Sequence, residues 1–240
     1  MQVIILAAGV GSRLGDLTFD RPKAMVRVAG RELILRVKDF LDHPAIGEKI
    51  VVTGYKSDFL SDFLKKNWPE AKTIFNPHYK EGSIRSIETA LPLIKGDFLV
   101  MNADHIYPRR MLQHIIGRGQ GLSAVCDFDR TLGPDDMKVR LCESGKLKFI
   151  RKTLDEFDCG YIGMTYCASN ELPTYKNCVS QTRKAEGDKA AVEFALGYLA
   201  TKDHKINICD TSGIGWLEVD TQEDLAKAEE TLQNNPGFLL

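Results

Sequence analysis

Residues 2–25 read Gln2-Val3-Ile4-Ile5-Leu6-Ala7-Ala8-Gly9-Val10-Gly11-Ser12-Arg13-Leu14-Gly15-Asp16-Leu17-Thr18-Phe19-Asp20-Arg21-Pro22-Lys23-Ala24-Met25. The apolar run Val3–Leu6, bounded by small residues, has the pattern of a buried strand in a parallel sheet. From Leu6 the chain passes through Ala7, Ala8, Gly9, Gly11 and Ser12, where almost no side chain stands between the backbone and a ligand. Bare N–H groups at the carboxyl end of a strand form a cradle for phosphate. Arg13 and Lys23 add positive charge, and Pro22 stiffens the segment that carries Lys23. The spacing is neither the dinucleotide G-x-G-x-x-G nor the P-loop G-x-x-x-x-G-K-[ST].

Outward from this stretch, strands alternate with amphipathic helices. Glu32–Leu41 has helical spacing, Ile50–Thr53 is a second strand, and Ser57 is placed to cap a helix over Asp58–Lys66. Thr73–Phe75 and Asp97–Met101 follow as strands, with a helix from Ser83 to about Leu91 between them. The alternation predicts an α/β fold, Rossmann-like and doubly wound around a mostly parallel sheet. Met137–Leu141 and Leu147–Ile150, joined by Glu143–Lys146, add a β-hairpin that breaks the parallel pattern. Phe157–Tyr166 is a further strand, Ser169–Ala200 is helical, and His204–Cys209 and Trp216–Thr221 are strands. Thr221 with Asp224 forms a capping box for the last helix. Residues 234–240 read as a frayed end. No repeat or linker divides the chain, so one domain over 1–240 is expected.

In a doubly wound sheet, ligands sit beyond the carboxyl ends of the strands. Asp104 stands just past a buried strand and near the glycine turn, where a hard cation would be held. His105 beside it is expected to line the pocket, because Mg²⁺ prefers oxygen ligands.

A net charge of −1 offers no basic face for nucleic acid. No apolar run approaches the roughly 20 residues that span a bilayer. No basic n-region precedes the first strand, so neither a signal peptide nor membrane insertion is expected. The six cysteines include no C-x-x-C pair and fall mostly in apolar segments. This predicts reduced, buried thiols and a cytoplasmic protein.

The opening stretch, with Leu6-Ala7-Ala8-Gly9, Gly11, Arg13 and the delayed Pro22-Lys23, resembles the L-A-A-G-x-G-x-R…P-K signature of the sugar-phosphate nucleotidyltransferases. The resemblance extends over nearly the whole chain. It implies that residues of about 1–107 bind an NTP and residues of about 108–240 bind a phosphorylated acceptor. It further implies that Gly82, Ser83 and Ser86 line the base pocket, and that Asp104 and Asp220 hold Mg²⁺ against the triphosphate. Arg13 would hold the outgoing phosphates, and Lys23 would bridge the α-phosphate. In the acceptor half, Lys138 and Lys152 are candidates to grip the acceptor phosphate, and Asp158 to orient a lysine or the acceptor.

The segments Asp104-His105-Ile106-Tyr107, Lys152–Cys159 and Gly215–Thr221 look most like the CTP:inositol-1-phosphate cytidylyltransferases. The chain departs from them at Gly160-Tyr161-Ile162-Gly163, where that family continues x-D-T-G. Met137–Val139 and Tyr161–Gly163 look closer to the phosphocholine and aminoethylphosphonate cytidylyltransferases. A cationic acceptor would want aromatic rings, for which Tyr107, Tyr161 and Trp216 are candidates. CTP with inositol phosphate is the expected pair. A phosphocholine or phosphonate acceptor, a sugar-1-phosphate uridylyl- or thymidylyltransferase, and a non-catalytic nucleotide-binding domain stay open. So does the oligomeric state, a homodimer included.

Overall fold

A computed structural model describes residues 1–240. The chain builds one nine-stranded sheet, with β1 (Gln2–Ala7), β2 (Lys49–Thr53), β3 (Ala71–Phe75), β4 (Phe98–Asn102), β5 (Leu122–Asp127), β6 (Lys138–Leu141), β7 (Leu147–Arg151), β8 (Cys159–Cys167) and β9 (Asn207–Asp210). The main path runs β7-β6-β8-β4-β1-β2-β3, and β5 joins β8 to β9. Pairings among β1–β4 are parallel, whereas β8 runs against β4, β5 and β6.

The strand order fixes where the site lies. The chain winds outward from β1 through β2 to β3, then crosses back to place β4 on the other side of β1. That reversal opens a crevice above the carboxyl ends of β1 and β4, the usual ligand position in such sheets.

Alternation along β1 sends successive side chains into two layers. Val3 and Ile5 pack with Val37 of α1 (Leu33–Phe40), Leu60 of α2 (Ser57–Asn67) and Met111 of α4 (Arg109–Arg118). Ile4 packs with Ile84 of α3 (Ser83–Ala90), Val179 of α5 (Leu172–Glu186) and Leu196 of α6 (Phe194–Ala200). Burial on both faces is why β1 and β4 read as continuous apolar runs.

The structure corrects three expectations. Ser57 begins α2 but caps nothing; its hydroxyl shares a 2.7 Å hydrogen bond with Thr53 instead. The stretch Ser169–Ala200 is two helices, broken between Glu186 and Phe194. The terminal residues are docked: Phe238 is buried with Leu14, Val219 and Ala228, and the backbone amides of Arg109 and Arg110 donate to Leu239 and Leu240. The last helix, α7 (Gln222–Asn234), does carry the Thr221–Asp224 capping box.

Candidate active site

Three segments converge above β1 and β4. The first is the glycine turn with the loop to Lys23. Gly11 has φ of 70°, and a Cβ there would lie 2.8 Å from Lys23 Cβ. Only a glycine lets the turn pass this close to the lysine. Lys23 opens a short 3₁₀ turn after Pro22, which keeps its side chain pointing back at the strand ends. The second segment is Asn102-Ala103-Asp104, tied down where the Ala103 amide donates to Leu6 O at 3.2 Å. The third is Leu217–Glu218, which pairs antiparallel with His105–Ile106, while the Val219 amide donates to Asp104 O. Asp220 follows directly, its own amide donating to the capping carboxylate of Asp224.

The result is one charge cluster. Lys23 Nζ donates to Asp104 Oδ2 at 2.6 Å and to Asp220 Oδ1 at 2.7 Å. Arg13 pairs with the other oxygen of Asp220 and, at 3.4 Å, with Asp135. Burial favours the neutral acid at Asp104, but the charges of Lys23 and His105 outweigh it and hold the carboxyl far below the usual carboxylate range. Burial likewise disfavours the Lys23 ammonium, and the two aspartates overcome it, so its pKa is raised.

His105 is buried and shares a 2.6 Å hydrogen bond between Nδ1 and Asp104 Oδ1. Its ring stacks on Trp216 at 5.2 Å, and a side chain at Gly163 would meet its Nε2 at 3.1 Å. Asp104, His105 and Glu218 bring one ligand atom each within 4.8 Å of one another. With Asp220 on the same ammonium as Asp104, the donor set is mainly carboxylate oxygen, which fits a hard divalent cation such as Mg²⁺.

The cleft has two adjoining cavities. One is lined by Leu6, Ala7, Ala8, Gly82, Ser83 and Ser86, together with Tyr79 and Glu81. The other takes in Gly11, Ser12, Arg13, Lys152, Tyr161, Trp216, Glu218 and Asp220. Gly9, Lys23, Asn102, Asp104 and Glu193 line both.

Three residues expected to contact the acceptor have other work, and a fourth, Tyr161, lines the cleft with its hydroxyl engaged. Tyr107 is buried beside Phe40 and donates its hydroxyl to Ile162 O, so it faces the core. Lys138 is buried, and its ammonium donates to the carbonyls of Gly133 and Lys152. Asp158 accepts from the Leu141 amide and pairs with Arg140 on the hairpin. Tyr161 reaches the cleft wall, but its hydroxyl is shared with Thr165. Lys152 alone of the two lysines stands in the cleft.

Glu193, Glu218 and Asn102 were not singled out by the sequence. Glu218 had a signal: it lies two residues before Asp220, on the same side of an extended segment. Glu193 had none, being one glutamate in a stretch of helical spacing.

The family model for MobA-like NTP transferase domains matches residues 3–134, which hold the glycine turn, Lys23 and Asp104. The chain belongs to this family. Among curated relatives, the bifunctional IPC transferase and DIPP synthase of Aquifex aeolicus is 30% identical over 230 residues, covering 95% of this chain and 51% of that one. The chain thus spans about half the length of that relative. The CTP:phosphoglutamine cytidylyltransferase of Campylobacter jejuni is 26% identical, covering 94% of this chain and 98% of that one. Among solved structures, the inositol-1-phosphate CTP transferase from T. maritima superposes with a TM-score of 0.82 at 19% identity, over 97% of this chain and 94% of that one. The CTP:phosphocholine cytidylyltransferase from Streptococcus pneumoniae gives 0.78 at 22%, over 96% and 98%. These likenesses carry the nucleotidyltransferase fold. No helix is long and apolar enough to cross a membrane.

Proposed function

We propose that this MobA-like chain transfers a cytidylyl group from CTP to a phosphorylated polyol, inositol phosphate being the best candidate, and releases pyrophosphate. The observation that carries the reading is the single ammonium of Lys23 held between Asp104 and Asp220 at the mouth of the glycine turn. A buried cation and two carboxylates at a phosphate cradle are the parts that phosphoryl chemistry needs.

The N-terminal half, about residues 1–107, takes the nucleotide. The backbone of Ala7–Ser12 receives the triphosphate, and the loop at Gly82–Ser86 receives the base. Ser83 Oγ accepts from the Val192 amide, which leaves its own O–H free to donate. Asp104 and Asp220, with Glu218 beside them, would hold Mg²⁺. When bound, the ion neutralises phosphate charge as the transition state forms.

The remaining half takes the acceptor. A phosphate monoester is largely dianionic at neutral pH, its second pKa being about 6. Its oxygen can attack the α-phosphorus without a general base. Lys23 turns from its aspartates toward the α-phosphate, Arg13 holds the departing pyrophosphate, and Lys152 draws in the acceptor phosphate. The rate then comes from positioning and charge neutralisation.

Purified protein, CTP, Mg²⁺ and inositol 1-phosphate should release pyrophosphate and form a CDP-alcohol. Turnover with UTP or dTTP and a sugar 1-phosphate, but not with CTP, would replace this reading with a uridylyl- or thymidylyltransferase.

A further inference from the structure

Glu193 stands in the cleft with its carboxylate unused. It lines both cavities, and its only hydrogen-bond partner in the protein is its own backbone amide. Burial raises its carboxyl pKa, with the charge of Lys152 pulling the other way. With no other protein partner and a place on both cavity walls, the carboxylate is available to a ligand's donors. Its place is also fixed with care. The segment before it is zipped to the base loop: the Gly82 amide donates to Asp188 O at 2.7 Å, the Ile84 amide to Ala190 O, and the Val192 amide to Ser83 Oγ.

A carboxylate in this position suits either hydroxyl donors or an ammonium group. A quaternary ammonium also needs free aromatic faces. Tyr79 lines the cavity on the Gly82 side; the cavity that holds Lys152 has few to give. Trp216 is stacked against His105, lies under the Arg130 guanidinium at 3.9 Å, and is only 7% exposed. Tyr161 is also 7% exposed, with its hydroxyl committed to Thr165. Hydroxyl donors need no such face.

We infer that Glu193 is the specificity-determining residue for the acceptor, its carboxylate accepting hydrogen bonds from hydroxyls on the uncharged polyol moiety of an acceptor whose phosphate lies toward Lys152. The inference rests on the nucleotidyl-transfer reading above. The same chemistry is offered by the ribose of the nucleotide, so the test separates the two sources.

The experiment compares wild type with Glu193→Gln and Glu193→Ala, using CTP and 2′-deoxy-CTP against inositol 1-phosphate, phosphocholine and phosphoglutamine. Thermal melting and CTP binding without acceptor serve as checks on the fold. The expected result is a preference of the wild type for inositol 1-phosphate. In both variants its KM rises about tenfold to a hundredfold, with the KM for CTP and the CTP to deoxy-CTP ratio unchanged. An unchanged acceptor KM overturns the inference, as does a change confined to the CTP to deoxy-CTP ratio, which would assign Glu193 to the ribose. Turnover of the wild type with phosphocholine or phosphoglutamine in preference to the polyol overturns it while leaving nucleotidyl transfer standing. No pyrophosphate with any acceptor contradicts the transfer reading itself, and the inference with it.

Discussion

Asp104 and Asp220 come from opposite ends of the chain and accept hydrogen bonds from the same ammonium, Lys23 Nζ, at 2.6 and 2.7 Å. Two like charges are held together here by one buried cation, and everything proposed for the site depends on that arrangement.

Replacing the cation with an apolar chain should expose the strain. In Lys23→Met the aspartates face each other without compensation, and stability without divalent cation should fall by about 3 kcal/mol. Millimolar Mg²⁺ or Mn²⁺ should recover most of the loss, because the ion binds the folded state only. Thermal melting with EDTA and with added metal reads this directly. A variant that melts like wild type in EDTA, or that metal does not rescue, would separate Lys23 from the aspartates.

The two glycines of the opening turn should behave differently. A methyl group at Gly9 meets nothing within 4 Å, so Gly9→Ala should fold with unchanged melting temperature. It should lose about tenfold or more in CTP affinity, because the methyl would stand on the path proposed for the phosphate. At Gly11 the backbone is left-handed and the methyl would press on Lys23, so Gly11→Ala should cost about 1–2 kcal/mol of stability as well. Calorimetric titration with CTP, beside thermal melts, tests both.

Lys138 and Lys152 should also part company. Lys152→Gln should raise the acceptor KM about tenfold with little change in melting temperature, the scale of one hydrogen bond to a charged group. Lys138→Gln should lower stability by about 1–3 kcal/mol, because it strips donors from the Gly133 and Lys152 carbonyls. Equal effects of the two on acceptor KM would contradict this division.

How much of this the sequence could show is clear from particular residues. The strand Val3–Leu6, the glycine turn, Lys23 and the two strand-end aspartates were legible because each lies beside a local pattern that fixes its backbone. Tyr107, Lys138 and Asp158 carried the right chemistry, but their partners Ile162, Gly133 and Arg140 belong to other segments, and only the fold brings them together. The tail at 234–240 has the composition of a loose end, yet a single buried Phe238 pins it. Glu193 is visible only once the 188–192 segment is seen bonded to the Gly82 loop.

The cysteines give a check on the fold that is independent of activity. Five are buried, and burial pushes the Cys167 thiol up to about 12 and those of Cys178 and Cys209 to about 11. Cys142 is part-exposed, and hydrogen bonds from Ser144 and the Lys146 backbone lower its pKa. The thiolate is the reactive form. At pH 8 one thiol per chain should therefore react fast with a disulfide reagent in the native protein, and all six in denaturant. Cys142→Ser should abolish the fast phase. Two or more fast thiols in the native state would contradict the packing of β5, β8, β9 and α5, which carry the buried five.

The central claim is that the opening glycine turn, Lys23 and the two distant aspartates close on one triphosphate. A crystal structure with CTP and Mn²⁺, read by the anomalous signal of the manganese, tests it most directly. The account predicts a manganese peak shared by Asp104 and Asp220, with the phosphates lying along Ala7–Ser12 and Lys23 turned toward the α-phosphate. Manganese away from both aspartates, or CTP bound outside the turn, would contradict it.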